Sequence, residues 1–295
     1  MNARRAAWIR PARHRRARGF FLAGRGAPNR QSLANTAHPL LSQPISLHPG
    51  RSKDYQKAGF HALIPEQTGG EDPNPSMKFP QIIQGGMGAG VSDWLLARSV
   101  SLRNQIGVVS GTALDLILAR RLQVGDPGGH MQRALKAFPD QGVAQRIIDR
   151  YFVAGGKPAD RPFARKPMVG HKSSQDLDQL MVAAGFAEVF LAKEGHDGLV
   201  GINFLHKIQA PLLATLYGAM LAGVDIVLVG AGSPLEIPRV LEDFTRNEPA
   251  HLKLFVKDAT RGTTYKTSFE PKSCFDTPLG PPQRPQFFPI VSSAT

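Results

Sequence analysis

The sharpest chemistry-bearing feature of the sequence is a run of glycines, Gly85-Gly86-Met87-Gly88-Ala89-Gly90, directly after the apolar segment 79–84. Glycines placed there let the backbone approach a flat or phosphorylated ligand closely, using φ values that other residues avoid. The run does not have G-x-G-x-x-G spacing, and it lacks the lysine of G-x-x-x-x-G-K-[ST]. A nucleoside-triphosphate cradle is therefore not expected. Taken alone, the run is equally a tight strand-to-helix turn. Three further positions are of the same kind. Ser110-Gly111-Thr112 follows Val108-Val109, Asn203 closes the segment 200–202, and Gly230-Ala231-Gly232-Ser233-Pro234 follows 225–229. Each small residue by itself allows a turn. Four strand ends offering Gly, Ser or Asn together point to one shared, uncharged, backbone-rich site for a planar cofactor.

Other chemistries find less support. His196 lies in Lys193-Glu194-Gly195-His196-Asp197-Gly198, before a strand rather than after one, which favours a loop role over catalysis. His130 and His171 have no partner at metal spacing, and neither H-E-x-x-H nor C-x-x-C occurs, so no metal is expected. Spacing leaves a Ser/His/Asp triad open, yet no G-x-S-x-G elbow marks its nucleophile. Cys274, the one cysteine, sits in an irregular polar stretch without a nearby base and reads as an incidental thiol. Intrachain disulfides and Cys-rich zinc sites are excluded, and a reducing, cytoplasmic setting is the expectation.

The elements that must position these groups alternate. Strands are expected at 81–84, 106–110, 199–204, 225–229 and 288–292, each a continuous apolar run of the kind buried on both faces. Helices are expected at 91–104, with Ser92 as N-cap, and at 112–123, 129–138 and 143–153. Further helices are expected at 176–193, where Gly185 bends or divides the helix, and at 212–222 and 237–245. Residues 155–173 form a basic, Pro-containing connection, and a hairpin is expected at 252–256. The alternation predicts a parallel α/β sheet. The run 216–235 contains Asp225, four glycines and Pro234, which is too punctuated for a membrane span.

The 295 residues carry a net charge of +13, but the charge is uneven. Residues 1–53 hold 11 Lys/Arg and no Asp or Glu, leaving 25 Lys/Arg against 23 Asp/Glu for the remainder. The basicity belongs to the leader and says little about what the rest binds, so nucleic acid is an unfavoured partner. Residues 1–76 show no sustained period. They fit an organelle transit peptide, a basic arm for nucleic acid or acidic surfaces, or sequence ahead of a true start at Met77. Met77 directly precedes the first strand, which favours the last reading.

Several phrases resemble the nitronate monooxygenase (2-nitropropane dioxygenase) family of flavoproteins. They are Ile82-Ile83-Gln84-Gly85-Gly86-Met87-Gly88, Gly107-Val108-Val109-Ser110-Gly111-Thr112-Ala113-Leu114-Asp115, and Phe190-Leu191-Ala192-Lys193-Glu194-Gly195-His196-Asp197-Gly198 with Val200-Gly201-Ile202-Asn203. The resemblance runs from Lys78 to about Val256, returns at 285–293, and does not cover 1–76. It implies a TIM (β/α)8-type barrel, incomplete at about five of eight strands, as the N-terminal part (77–295) of an FMN-binding domain. It implies oxidation of alkyl nitronates with O2, while relatives with this fold reduce enoyl thioesters using NAD(P)H. Gly86, Met87 and Gly88 would lie along the isoalloxazine edge with main-chain N–H groups facing it, and Asn203 would contact the flavin. Ser110 and Gly230 are carried over from their strand-end location. The family's Gly-Gly-His segment and its later phosphate-binding loops have no counterpart in the sequence, so no catalytic base is assigned. Impaired activity, weak flavin retention and self-association of the open strand edges are expected. The alternatives are an FMN enoyl reductase and a non-catalytic fragment with a basic arm.

Overall fold

Residues 82–84 and four strands run side by side, all in one direction. The computed structural model describes residues 80–170, 173–256 and 263–291, which fall in the unit Glu71–Thr295. The leader and the segment 1–76 lie outside the described residues, as does His171. In chain order come α1 (Trp94–Ser101), β1 (Gly107–Ser110), α2 (Leu114–Gln123), α3 (His130–Ala137) and α4 (Gln141–Tyr151). There follow α5 (Gln175–Lys193), β2 (Val200–Leu205), α6 (Leu212–Leu221), β3 (Ile226–Gly230) and a single 3-10 turn (Pro234–Glu236). Last are α7 (Ile237–Thr245), β4 (Ala250–Leu254), β5 (Tyr265–Phe269), the short α8 (Pro271–Cys274) and β6 (Gln286–Pro289).

The main sheet has the order β1-β2-β3-β6, and every pair is parallel. Beside β1, residues 82–84 make one parallel bridge, Ile83 to Ile106, held by Gln84 N–H to Ile106 O (2.9 Å) and Ile106 N–H to Ile82 O (3.0 Å). The expected first strand is thus reduced to a single bridge. The expected last strand moves two residues earlier, because Gln286 N–H bonds Asp225 O and Ile290 N–H bonds Val229 O, which fixes its register. The hairpin differs as well. β4 pairs antiparallel with β5 rather than turning within 252–256. The fold class is therefore mixed α/β with a four-stranded parallel sheet, and the described strands do not close a barrel.

Alternation along the strands sorts side chains to two faces. Val109, Val200, Ile202, Phe204, Val227 and Val229 join the main core with the helices. Ile106, Val108, Ile226 and Leu228 form a small second cluster with Leu199 and Phe288 on the other face. At the centre of the main core is α5, with 14 of its 19 residues buried, so it has no polar face. Gly185 neither bends nor divides it. A Cβ there would lie 2.2 Å from Thr215 O on α6, and one at Gly218 would lie 1.9 Å from Val182 O on α5. The two helices touch backbone to backbone.

Helix starts follow their caps. Asp93, not Ser92, caps α1, accepting from the N–H groups of Leu95 and Leu96 (3.1 Å each). Asp140 caps α4, Ser174 caps α5, and Asp126 accepts from Met131 and Gln132 at the start of α3. The apolar spacing of Val91, Leu95, Leu96 and Val100 predicts a buried face there, yet Val91, Leu95 and Leu96 are exposed, and Ala97 and Ser101 of α1 pack inward. The reason is Gly107, where a Cβ would lie 1.9 Å from Ala97 O, so only a small-residue face of α1 can sit this close to β1.

One buried carboxylate joins three helices. Glu188 of α5 accepts from Trp94 N–H at the start of α1 (2.9 Å) and pairs with Arg121 of α2. Arg121 also reaches Asp93 (3.1 Å). Burial raises the Glu188 pKa above the ordinary glutamate value, with Arg121 opposing the rise. Arg121→Met leaves this carboxylate without its cation and is expected to cost about 3–5 kcal/mol in urea unfolding. Adding Glu188→Met is expected to recover most of that loss. Because the folded-state pKa is the higher one, the Glu188 contribution is largest below the unfolded pKa and declines as pH rises toward the folded value. In Glu188→Gln that part of the stability-against-pH slope is expected to disappear.

Candidate functional site

The glycine turn is closed by Ser92. Its hydroxyl accepts from Met87 N–H (2.9 Å) and from Gln84 Nε2 (3.1 Å), and donates to Gly85 O (3.0 Å). Its backbone N–H bonds Met87 O (3.1 Å), and its carbonyl accepts from Ser110 N–H (2.8 Å). Sequence reading took Ser92 for a helix cap. With Asp93 occupying that role, Ser92 is free to tie the turn to the end of β1. Gln84 adds a second tie, its Oε1 accepting from Val108 N–H (2.9 Å). The sequence held one signal for this: two adjacent capping residues before one helix leave one of them available for another role.

Of the six residues expected to hold a cofactor, five meet in one place. Asn203 Nδ2 donates to Gly86 O (2.8 Å), and the Ser110 hydroxyl donates to Gly88 O. Ser110 and Asn203 are register partners, and Gly111 N–H bonds Asn203 O (2.8 Å). Gly86 is buried so closely that a Cβ would lie 2.8 Å from Asn203 Cβ, 2.8 Å from Val108 Cγ1 and 2.9 Å from Val109 O. Met87 extends from the turn with its side chain 65% exposed. Gly230 stands apart from the glycine turn, at the end of β3 opposite Leu205, and its carbonyl accepts from His206 N–H (2.7 Å).

These bonds decide which polar groups remain for a ligand. Met87 N–H is taken by Ser92, and the Ser110 hydroxyl is taken by Gly88, so neither is free to face a cofactor. The N–H groups of Gly86 and Gly88 have no partner among the described residues. Asn203 Oδ1 is buried and accepts no hydrogen bond from a described residue. A buried acceptor without a donor is costly. Two donors and one acceptor, all uncharged, suit the heteroatom edge of a planar heterocycle. Two clefts, of about 550 and 540 Å³, are lined by other residues.

His206 is a strand-end group that sequence reading missed. It follows β2 directly, three residues after Asn203, the same kind of position as Ser110. Only 2% of it is exposed, and its Nε2 has no partner among the described residues. Gly232, at φ +156, passes so close that a Cβ would lie 2.6 Å from His206 Nδ1, and Phe255 sets its ring edge-on at 6.3 Å. His196, by contrast, spends both ring nitrogens on the corner between α5 and β2. Gly198 N–H donates to Nδ1 (3.1 Å), so Nε2 carries the proton and donates to Ala192 O (2.7 Å). Nearby, Lys193 and Val200 N–H hold Asp225 at the opposite ends of the strands. His130 packs at a tilt against Trp94, ring centroids 4.8 Å apart, and meets Arg133. No metal-holding group of side chains occurs among the described residues, and no described helix is long and apolar enough to cross a membrane.

No protein-family model, curated protein or solved structure matches the chain. Two substitutions test the turn itself. Gly86→Ala forces a methyl against Val109 O and is expected to cost about 1–3 kcal/mol. Ser92→Ala removes the hydroxyl that Met87 N–H, Gln84 Nε2 and Gly85 O share and is expected to cost about the same, 1–3 kcal/mol, in urea unfolding.

Proposed function

We propose that this chain is an FMN-dependent oxidoreductase of the nitronate monooxygenase type, with the flavin edge seated on the glycine turn and Asn203. The supporting observation is that Asn203 Oδ1 and the N–H groups of Gly86 and Gly88 have no partner among the described residues, where the glycine turn meets the ends of adjacent parallel strands. Parallel sheets present ligand groups at their strand C-termini, and chain order matches spatial order across residues 82–84, β1, β2, β3 and β6. An incomplete TIM-type barrel is the arrangement this reading assigns to them.

In this reading Asn203 has two tasks. Its amide fixes the Gly86 carbonyl, and its oxygen accepts an N–H of the isoalloxazine. The Gly86 and Gly88 N–H groups donate to ring acceptors, and Met87 lies over the ring margin. Ser92, Ser110 and Gln84 set the turn's shape and do not touch the cofactor, which revises the direct roles expected of Ser110 and Met87 N–H. Gly230 belongs to the neighbouring strand end with His206. Bound FMN would supply the redox chemistry, taking electrons from an alkyl nitronate and passing them to O2.

FMN added to the full chain is expected to show saturable quenching of flavin fluorescence. Asn203→Leu, which removes both acceptor and donor, is expected to weaken binding by about tenfold or more. Oxygen uptake with propyl-2-nitronate is the expected activity. NADH or NADPH oxidation with an enoyl thioester in its place would assign the enoyl reductase alternative. Absence of saturable FMN binding by the folded chain would overturn the reading.

A further inference from the structure

A second place in the molecule has the make-up of a ligand site, and none of its lining residues belongs to the glycine turn or the strand ends. Between α2 and residues 163–169 lies a cleft of about 540 Å³, within the roughly 300–1,000 Å³ typical of small-molecule sites. Its floor is apolar, with Leu116 on one side and Phe163, Met168 and Val169 on the other. Leu116 and Val169 are each 38% exposed and Met168 84%. Three large apolar side chains open to water around one concavity are unusual for a surface that binds nothing.

The rim is basic. Arg120 stacks its guanidinium on Phe163, 3.9 Å from the ring centroid, and Lys157 approaches the same ring at 4.7 Å. Arg165 is exposed and makes no ion pair with a described residue. Lys166 also lines the cleft, but its charge is spent on buried Asp115, 2.6 Å away. Along 157–166 the chain carries Lys157, Arg161, Arg165 and Lys166 against Asp160 alone. This is the basic connection noted in the sequence, and the glycine-turn chemistry makes no use of it.

We propose that the cleft binds an amphipathic anion: an alkyl or acyl chain on the Leu116–Met168 floor, with its phosphate or carboxylate head at Arg120 and Arg165. Leucine, valine and a flexible methionine suit an aliphatic chain, because methionine adapts to irregular shapes. Guanidinium groups without carboxylate partners suit an oxyanion, which they bind through paired N–H donors. Like charge at this rim disfavours basic occupants.

The head group can belong to a free amphiphile or to a lipid in a bilayer, and calorimetry on the full chain separates the two. Decyl phosphate and decanoate, below their micelle concentrations, are expected to bind saturably, with decanol at least about tenfold weaker. Arg165→Glu is expected to weaken decyl phosphate by about tenfold or more at an unchanged thermal midpoint. Arg165→Lys, which keeps the charge but loses the paired donors, retains only part of the affinity, and Met168→Asp loses it. Phosphatidylglycerol vesicles that bind with the same Arg165 and Met168 dependence assign the bilayer source. Binding of the free amphiphile without the vesicle assigns the soluble one. The proposal is overturned by decanol binding as tightly as decyl phosphate, by indifference to both substitutions, or by no saturable binding at all. Asn203→Leu tests the flavin reading and Arg165→Glu the cleft, so comparing FMN and decyl phosphate binding in both variants lets either reading fail without the other.

Discussion

Helices α5 and α6 cross backbone to backbone at Gly185 and Gly218, and most of the molecule is arranged around that contact. At each glycine a methyl group would occupy the partner helix's carbonyl oxygen. The crossing cannot loosen by a side-chain adjustment, because neither glycine has a side chain to move. Since α6 links β2 to β3, its distance from α5 sets how closely both strands lie to the core. Five of the chain's candidate ligand groups sit on or beside those strands and β1. Their mutual placement therefore rests on two glycines far from them in sequence.

Much of this architecture was legible in the sequence. Continuous apolar runs located all five parallel segments, and spacing located seven of the helices. What escaped the reading was tertiary in origin. Gly185 reads as a helix breaker when only local propensity is considered, yet its neighbour across the crossing requires it. The outward turn of Leu95 and Leu96 follows from the close approach of Ala97 to Gly107, a contact that periodicity alone does not contain. Strand β5 (Tyr-Lys-Thr-Ser-Phe) is too polar to stand out, and only its partner β4 makes it a strand. The two-residue shift of β6 has a similar cause: Gln286 joins the strand because Asp225 O needs its N–H, though an apolar count leaves it out.

The candidate site shows the same division. Residue type and strand-end position brought Gly86, Met87, Gly88, Ser110 and Asn203 to one place. Which of them keep a free polar group depended on Ser92 and Gln84, whose partners lie 5 to 24 residues away. A hydroxyl that looks available in sequence is consumed once its neighbours fold around it. The groups left over are an amide oxygen, two backbone N–H groups and, one strand-turn on, a buried imidazole nitrogen beside Gly232 and Phe255. Few of the polar groups around the turn are left without a partner among the described residues.

Cys274 is the chain's single thiol, closing α8 under the side chains of α5. It is only 5% exposed, its carbonyl accepts from Gln175 and Gln179, and burial pushes its thiol well above the ordinary cysteine range. A thiol so placed cannot meet an alkylating reagent while this corner stays shut. One covalent label per molecule then acts as a clock, its rate counting how often α8 lifts away from the central helix.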